Sequence, residues 1–106
     1  MLCGQFRHLL DSKHRTVIPS RLKKQLKGQV VFYLKVSKRK KELFVYSTEK
    51  AKALSPAIMK FCTIVDSDVH GRLVIPSEIV KTLFSGCTTI LWQGWGDYCK
   101  ILPTEK

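Results

Sequence analysis

A nine-residue motif occurs twice in this chain, as DSKHRTVIP at residues 11–19 and as DVHGRLVIP at residues 68–76. Both copies place an arginine four residues after an aspartate, and both end in Val-Ile-Pro. The hydrophobic run at 30–36 also corresponds to the run at 88–94 when one extra residue is allowed in the second copy. A repeat that spans the chain indicates one structural unit used twice, and two units are too few for a solenoid. The sequence therefore predicts a single pseudo-two-fold domain built from two repeats.

The two repeats differ sharply in charge. The net charge of +11 lies entirely in residues 1–53, which contain 14 lysines and arginines against three acidic residues, whereas residues 54–106 contain five of each sign. We therefore divide the domain into a basic repeat (1–50), a linker (51–59) and a neutral repeat (60–106). Solubility alone does not require such asymmetry, so the pattern predicts that the basic repeat binds nucleic acid. The neutral repeat is then the expected surface for subunit contact.

Local patterns predict a mainly β fold with short helices. Strands are predicted at 5–10, 16–18, 30–35 and 42–47 in the first repeat, and at 60–66, 72–75, 88–93 and 98–102 in the second. Helices are predicted at 20–27 and 76–84, because a proline opens each one at its first position, and a short helix or turn with Ser47 as N-cap is predicted at 47–56.

The motif itself has the composition of a tight turn. Asp11 can hydrogen-bond the backbone two residues further along and so set the bend. The residue before the arginine is Gly71 in one copy and His14 in the other, and both residue types tolerate positive φ. On the following helix, Leu22 and Leu26 share one face, which is predicted to be core. The lysines lie on the opposite face, which is predicted to be exposed: Lys23, Lys24 and Lys27.

Several functional classes find no support in the sequence. No apolar run approaches the roughly 20 residues of a membrane span, and the N-terminus lacks the apolar core of a signal peptide. A cytoplasmic, nucleoid-associated protein is therefore expected. No catalytic set of side chains and no glycine-rich phosphate loop is found. We expect no enzymatic activity, no small-molecule substrate, no cofactor and no membrane partner.

The four cysteines also indicate no metal or disulfide site. They form no CxxC pair and have no zinc-finger spacing with the histidines. In a hairpin that turns near residues 95–96, Cys99 is predicted to lie opposite Trp92 rather than Cys87. Reduced and buried thiols are therefore expected.

The order of strand, Asp-x-x-x-Arg, Val-Ile-Pro, short helix and hairpin resembles the swapped-hairpin barrel of the AbrB-type DNA-binding fold. The opening MLCGQFRHLLDSKHRTVIPSRLKKQL and the later HGRLVIPSEI resemble the two tandem motifs of the MraZ family, although the segment between the motifs is shorter than is usual there. This resemblance implies a β-barrel built from both halves, a regulator that binds double-stranded DNA, and assembly of several chains.

Carried over to this chain, the resemblance implies DNA contacts from Lys13 and Arg15 in the first turn, from Lys23 and Lys24 on the following helix, and more weakly from Arg7. The predicted DNA-binding set is completed by three neighbouring residues: His14, Arg21 and Lys27.

The second motif is predicted to be structural or to bind DNA only weakly. Val80 stands where the first repeat has Lys23, and three carboxylates are expected around Arg72, from Asp66, Asp68 and Glu78. Arg72 would then pair with Asp68 or with a neighbouring chain. Arg15 could likewise pair with Asp11, although a surface pair of this kind would contribute little stability.

Three functions are compatible with these patterns. The first is a sequence-specific transcriptional regulator that binds short repeated DNA sites as a homo-oligomer through the neutral repeat. The second is a non-specific nucleic-acid-binding protein that uses the same lysines without sequence preference. The third is an antitoxin-like protein that binds a partner, because the AbrB-type fold also serves that role.

Overall fold

The computed structural model describes residues 1–104, so Glu105 and Lys106 at the end of the predicted neutral repeat lie outside the described residues. The elements follow in the order β1 (Leu2–Leu9), β2 (Arg15–Val17), α1 (Ser20–Gln25), β3 (Val31–Ser37), β4 (Glu42–Ser47), α2 (Thr48–Lys52), α3 (Pro56–Met59), β5 (Thr63–Asp66), β6 (Arg72–Val74), α4 (Ser77–Leu83), β7 (Thr89–Gly96) and β8 (Cys99–Pro103). The predicted class, mainly β with short helices, is confirmed. The division of the chain at residues 50 and 59 stays a prediction.

The element bounds follow the local signals closely. Pro19 and Pro76 immediately precede α1 and α4, and Ser47 caps α2 because its side chain accepts a hydrogen bond from Lys50 N. Two strands, β5 and β6, are shorter than predicted. β5 begins at Thr63 rather than at residue 60, because the N–H groups of Phe61 and Cys62 still bond to the carbonyls at the end of α3.

The six-stranded antiparallel sheet has the order β1-β7-β8-β4-β3-β5, and a separate two-stranded ribbon pairs β2 with β6. The first strand of each half therefore pairs with the hairpin of the other half: β1 with β7–β8, and β5 with β3–β4. Leu43 lies opposite Ile101 where the two hairpins meet. This exchange relates the two halves by a pseudo-two-fold axis.

The predicted barrel is not closed. β1 and β5 form the two edges of the sheet, and no ladder joins them within residues 1–104. The chain leaves the sheet after each of these strands, at the turns 11–14 and 67–71, and continues into the separate ribbon. The strands that follow the turns pair with each other across the axis, so they do not extend the sheet towards closure.

The core contains buried side chains from both halves, contributed by the sheet, the ribbon and the helices. Its largest fully buried members are Trp92, Phe32, Phe84, Leu22, Leu34, Leu43, Leu73, Ile75, Ile90 and Ile101. The predicted core position of Leu22 is confirmed, and Leu26 packs partly buried against the same cluster. Because the exchanged strands bury one common core, neither half would retain its apolar contacts alone.

The four cysteines are free thiols, but the prediction that they are buried is correct only for Cys99: Cys3 is exposed, and Cys62 and Cys87 are partly buried. The predicted position of Cys99 in the hairpin is also wrong. Cys99 lies opposite Gly94, and Trp92 lies opposite Ile101. The hairpin turns at Asp97 and Tyr98, later than the sequence suggested, which shifts the pairing register. Burial raises the pKa of the Cys99 thiol to about 12, so this side chain remains protonated.

Candidate nucleic-acid interface

The first motif folds into a turn that is organised by one carboxylate. Oδ1 of Asp11 accepts hydrogen bonds from the backbone N–H groups of Lys13 (2.9 Å) and Arg15 (2.8 Å). Oδ2 of the same side chain accepts from Nε of Arg15 at 2.8 Å. The pairing of Arg15 with Asp11 that the sequence left open is therefore formed, and it holds the guanidinium at a defined position.

The second motif has the same geometry. Oδ1 of Asp68 accepts from the N–H groups of His70 and Arg72, both at 2.9 Å, and Oδ2 accepts from Nε of Arg72 at 2.7 Å. The residue before each arginine has positive φ, 64° at His14 and 75° at Gly71, which confirms the conformation predicted for these positions.

Both aspartates are held in the ionised state. Hydrogen bonds to the carboxylate, first from the backbone N–H of Arg15 and then from its side chain, lower the pKa of Asp11. The backbone N–H of Arg72 is the largest cause at the second turn, where the pKa of Asp68 falls to about 2. Exposed pairs of this kind contribute little to stability. Their main consequence is the orientation of Arg15 and Arg72.

The ribbon places the two arginines on one surface. Thr16 lies opposite Leu73 on the pseudo-two-fold axis, and both residues are buried. Side chains alternate along a strand, so the neighbours of this pair point outward. They are Arg15 and Val17 on β2, and Arg72 and Val74 on β6. About half of each valine is exposed, 47% for Val17 and 50% for Val74.

A groove of about 440 Å³ lies beside this surface. Its lining residues come from β1, from the first turn and from both strands of the ribbon: Arg7, His8, Leu9, Asp11, Arg15, Thr16, Val17 and Arg72. His8 Nδ1 donates a hydrogen bond to the carbonyl of Val17 at 2.7 Å and so joins β1 to the ribbon. The structure thus brings Arg7, Arg15 and Arg72 together, although Arg72 is 57 residues from Arg15 in the sequence.

The lysines of α1 lie beside the second turn. The N–H of Ile18, just before α1, donates to the carbonyl of Gly71 at 2.9 Å. The side chain of Lys23 then crosses Gly71, and its Nζ lies 2.8 Å from the position that a Cβ on Gly71 would occupy. A second groove is lined by residues from α1 and from that turn, among them Lys23, Lys24, Lys27, Asp68 and Val69.

The predicted DNA-binding residues therefore form two groups. The first turn and β1 carry Arg7, Lys13, His14 and Arg15, and α1 carries or adjoins Arg21, Lys23, Lys24 and Lys27. All are exposed except His14 and Arg15, which are partly buried. The two groups are adjacent in the chain, but the structure places α1 beside the second turn rather than the first.

The helix beside the first turn is α4. The N–H of Ile75, just before α4, donates to the carbonyl of His14 at 2.8 Å. This helix carries the exposed Glu78, and it presents the buried Val80 where α1 has Lys23. Glu78 therefore belongs to a helix that begins at the first turn, whereas the sequence prediction had placed it around Arg72.

The outward valines were missed by the sequence prediction. The alternation of side chains along Arg15–Val17 and Arg72–Val74 was the signal that could have identified Val17 and Val74. Within residues 1–104, no group of three or more His, Cys, Asp or Glu side chains could hold a metal ion. None of the helices described is long and apolar enough to cross a membrane.

No family model matches the chain. A protein from Caldanaerobacter subterraneus subsp. tengcongensis named transcriptional regulator MraZ is 26% identical to it over 128 aligned residues, which cover 94% of this chain and 87% of that protein. A protein of the same name from Thermomicrobium roseum is 26% identical over 93 residues, which cover 74% of this chain and 66% of that protein. The chain is therefore similar, over most of its length, to proteins named transcriptional regulator MraZ. Similarity to the first of these MraZ proteins extends over nearly the whole chain, so it includes both motif turns.

Proposed function

We propose that this chain is a sequence-specific DNA-binding transcriptional regulator that binds short repeated sites in double-stranded DNA as a homo-oligomer. Its two MraZ relatives are named transcriptional regulators. The observation that carries the proposal is the pair of arginines on the outer surface of the ribbon. Arg15 and Arg72 are each held through Nε by an ionised aspartate.

This arrangement suits the reading of base edges. An arginine has five N–H donors, and an aspartate that occupies Nε–H leaves the four terminal N–H groups available. Those groups match O6 and N7 of guanine, and the major groove is wide enough for a two-stranded β-ribbon. On the ribbon, Val74 lies opposite Arg15 and Val17 lies opposite Arg72. Their exposed methyl groups could therefore contact the methyl group of thymine beside each arginine.

The other basic side chains supply contacts to phosphate. Arg7 lines the groove beside Arg15, and Lys13 lies at the tip of the first turn. Neither forms an ion pair within residues 1–104, so their charges are free to neutralise phosphates. Phosphate contacts fix the position of a protein on the duplex, and base contacts provide the specificity.

A homo-oligomer would enlarge this small contact surface. A single DNA-binding module buries only about 600–1,000 Å² of protein surface. Several linked subunits would raise the affinity for repeated sites through effective concentration. We propose that the subunits meet through the neutral repeat, where Phe61 and Ile64 are 67% and 60% exposed near the β5 edge of the sheet. The proposal includes a nucleoid-associated location in the cytoplasm and no enzymatic activity.

Selection of bound duplexes from a fragmented source genome, at about physiological salt, tests the proposal. Non-specific contacts are weakened by salt, so specific sites should dominate the bound fraction. We expect enrichment of a short motif in tandem copies, at a spacing that matches several subunits. Binding of DNA without any common motif would contradict the proposal and favour the non-specific alternative, in which the exposed tip Lys38–Lys41 would contribute phosphate contacts.

The double variant Arg15→Ala/Arg72→Ala is the matched control for that selection. It removes both candidate base contacts and leaves the other lysines and arginines in place. We expect it to retain salt-sensitive binding to mixed-sequence DNA and to lose the enriched motif. Enrichment of the same motif by the double variant would show that the ribbon does not read the sequence.

A further inference from the structure

We infer that the outer face of the six-stranded sheet, which is turned away from the core, is a second binding site and that it binds single-stranded DNA. This inference goes beyond the proposed function, because it concerns a different surface and a different form of nucleic acid. The ribbon packs on the core side of the sheet, where Thr16 and Leu73 are buried. A single strand on the outer face would therefore leave Arg15 and Arg72 accessible to a duplex.

Aromatic side chains are concentrated on this outer face. The core side chains of β4 and β8 are those of Leu43, Val45, Cys99 and Ile101. The residues that alternate with them therefore point outward. Among these, Phe44, Tyr46 and Tyr98 form a cluster in which the ring centroids lie 5.8–6.0 Å apart. Tyr33 lies opposite Tyr46 on β3, and Trp95 stands at the end of β7 beside Tyr98. Tyr46 is buried, whereas Trp95 is 50% exposed.

Trp95 is held in a position from which it can stack on a base. Its Nε1 donates a hydrogen bond to Oε1 of Gln93 at 2.8 Å. The Nζ of Lys100 lies 4.3 Å from the centroid of the indole and 5.5 Å from the centroid of Phe44, so both rings make cation–π contacts with this ammonium group. Half of Trp95 nevertheless remains exposed. Because the ring is already ordered, stacking a base on its exposed half would cost little entropy.

The charge of this face favours an anionic ligand. Two carboxylates adjoin the aromatic residues along the chain, and both are paired. Oε1 of Glu42 lies 3.2 Å from Nζ of Lys100, and Oδ2 of Asp97 lies 2.9 Å from Nζ of Lys50. A third carboxylate, that of Asp66, belongs to the edge strand β5. By contrast, the cations of β3 and of the β3–β4 hairpin tip form no ion pair within residues 1–104: Lys35, Lys38, Arg39, Lys40 and Lys41.

Aromatic rings beside unpaired cations are the combination that binds single-stranded nucleic acid. Bases stack on the rings, and the cations neutralise the phosphates. A duplex cannot use such rings in this way, because its bases are already stacked on one another. Phe44 is three residues from Lys41 at the hairpin tip, about 10 Å along a strand, so a few nucleotides would reach from the rings to the tip. Neither kind of contact needs a 2′-hydroxyl group, so we assign DNA as the ligand.

Titration of the protein with an oligothymidylate of about 12 nucleotides, within the site sizes known for such surfaces, tests this inference. Stacking should quench the fluorescence of Trp95, whereas Trp92 is fully buried and should not respond. Anisotropy of a labelled probe gives the affinity. Trp95→Ala should weaken binding of the oligothymidylate by about 5- to 150-fold, the usual range for one lost base–aromatic stack. Lys40→Ala should reduce the slope of log K against log salt by about 0.7, as for one phosphate of a single strand.

Val30→Ala is the matched control for Trp95→Ala. Val30 is 54% exposed, and it precedes β3 in register with the core residues Phe32 and Leu34 rather than with the outer face. Its variant should bind the oligothymidylate as the parent does. The double variant Arg15→Ala/Arg72→Ala should also retain this binding and the quenching of Trp95, because it alters only the ribbon. Circular dichroism melting curves check that each variant is folded, and the quenching in the parent chain needs no variant.

The outcomes separate this inference from the proposed function. If the parent selects a common duplex motif but the oligothymidylate neither binds nor quenches Trp95, this inference alone is overturned. If no duplex motif is selected but the oligothymidylate binds and quenches Trp95, the proposed function alone is wrong. Tighter binding of an oligouridylate of equal length would overturn the assignment to DNA. If Trp95→Ala instead reduces the sedimentation coefficient and leaves oligothymidylate binding unchanged, the outer face contacts another copy of the chain and the inference is wrong.

Discussion

The indole Nε1 of Trp92 donates a hydrogen bond to Oγ1 of Thr16 at 3.2 Å, and both side chains are fully buried. Thr16 lies at the centre of the ribbon and Trp92 lies in β7 of the other half. This bond therefore ties the candidate DNA-reading surface to the six-stranded sheet through the core. It also satisfies the only polar group of the largest buried side chain.

Thr16→Val should destabilise the protein. Valine retains the approximate shape of threonine but leaves the buried indole N–H without its acceptor, which costs about 1–3 kcal/mol in the free energy of unfolding. Urea denaturation followed by tryptophan fluorescence measures the change. Thr63→Val on the exposed face of β5 is the control and should change stability by less than about 0.5 kcal/mol. Equal stability of Thr16→Val and the parent would show that the bond is not important for the ribbon.

Arg15→Ala should weaken binding to a selected duplex by about 1–3 kcal/mol if the side chain contacts a base. Arg15→Lys is the informative partner, because lysine keeps the positive charge but lacks Nε–H and the planar donor pair. We expect it to bind mixed-sequence DNA nearly as the parent does and to discriminate poorly in favour of the selected duplex. Competition titrations measure the ratio of the affinity for the selected duplex to the affinity for the mixed-sequence duplex. An unchanged ratio for Arg15→Lys would remove Arg15 from the base-reading role.

Asp68→Asn should change the response of stability to pH. The pKa of Asp68 is about 2 in the folded protein, below its ordinary value of 3.8, so folding favours the ionised form. The stabilisation from this carboxylate is therefore present above about pH 4 and is lost as the pH falls towards 2. We expect the urea midpoint of Asp68→Asn to lie below that of the parent near neutral pH, and the gap to shrink in this acid range.

The control for that comparison is Asp66→Asn. Asp66 lies two residues away on β5, and within residues 1–104 its carboxylate does not accept the turn hydrogen bonds that Asp68 receives. A gap for Asp68→Asn that stays constant down to about pH 2 would mean that the turn does not retain its hydrogen bonds in solution.

The sequence by itself determined the local features of this protein. The aspartate of each motif predicted the turn, and the glycine or histidine before the arginine predicted the positive φ at Gly71 and His14. The prolines predicted where α1 and α4 begin. These predictions depend on groups that are close in the chain. A side-chain carboxylate reaches backbone N–H groups two to four residues away, and a proline acts on its own φ angle, so neither depends on the remainder of the fold.

Only the tertiary structure decided which elements lie together. Lys23 is four residues after Pro19 in the sequence, yet it covers Gly71, and Arg72 shares a groove with Arg15. The open sheet and the pairing of Cys99 with Gly94 were likewise not predictable from local signals. The physical reason is that strand exchange satisfies long-range hydrogen bonds and buries the apolar faces of both halves in one core. That strand pairing depends on the whole chain, so the sequence pattern of one repeat cannot reveal it.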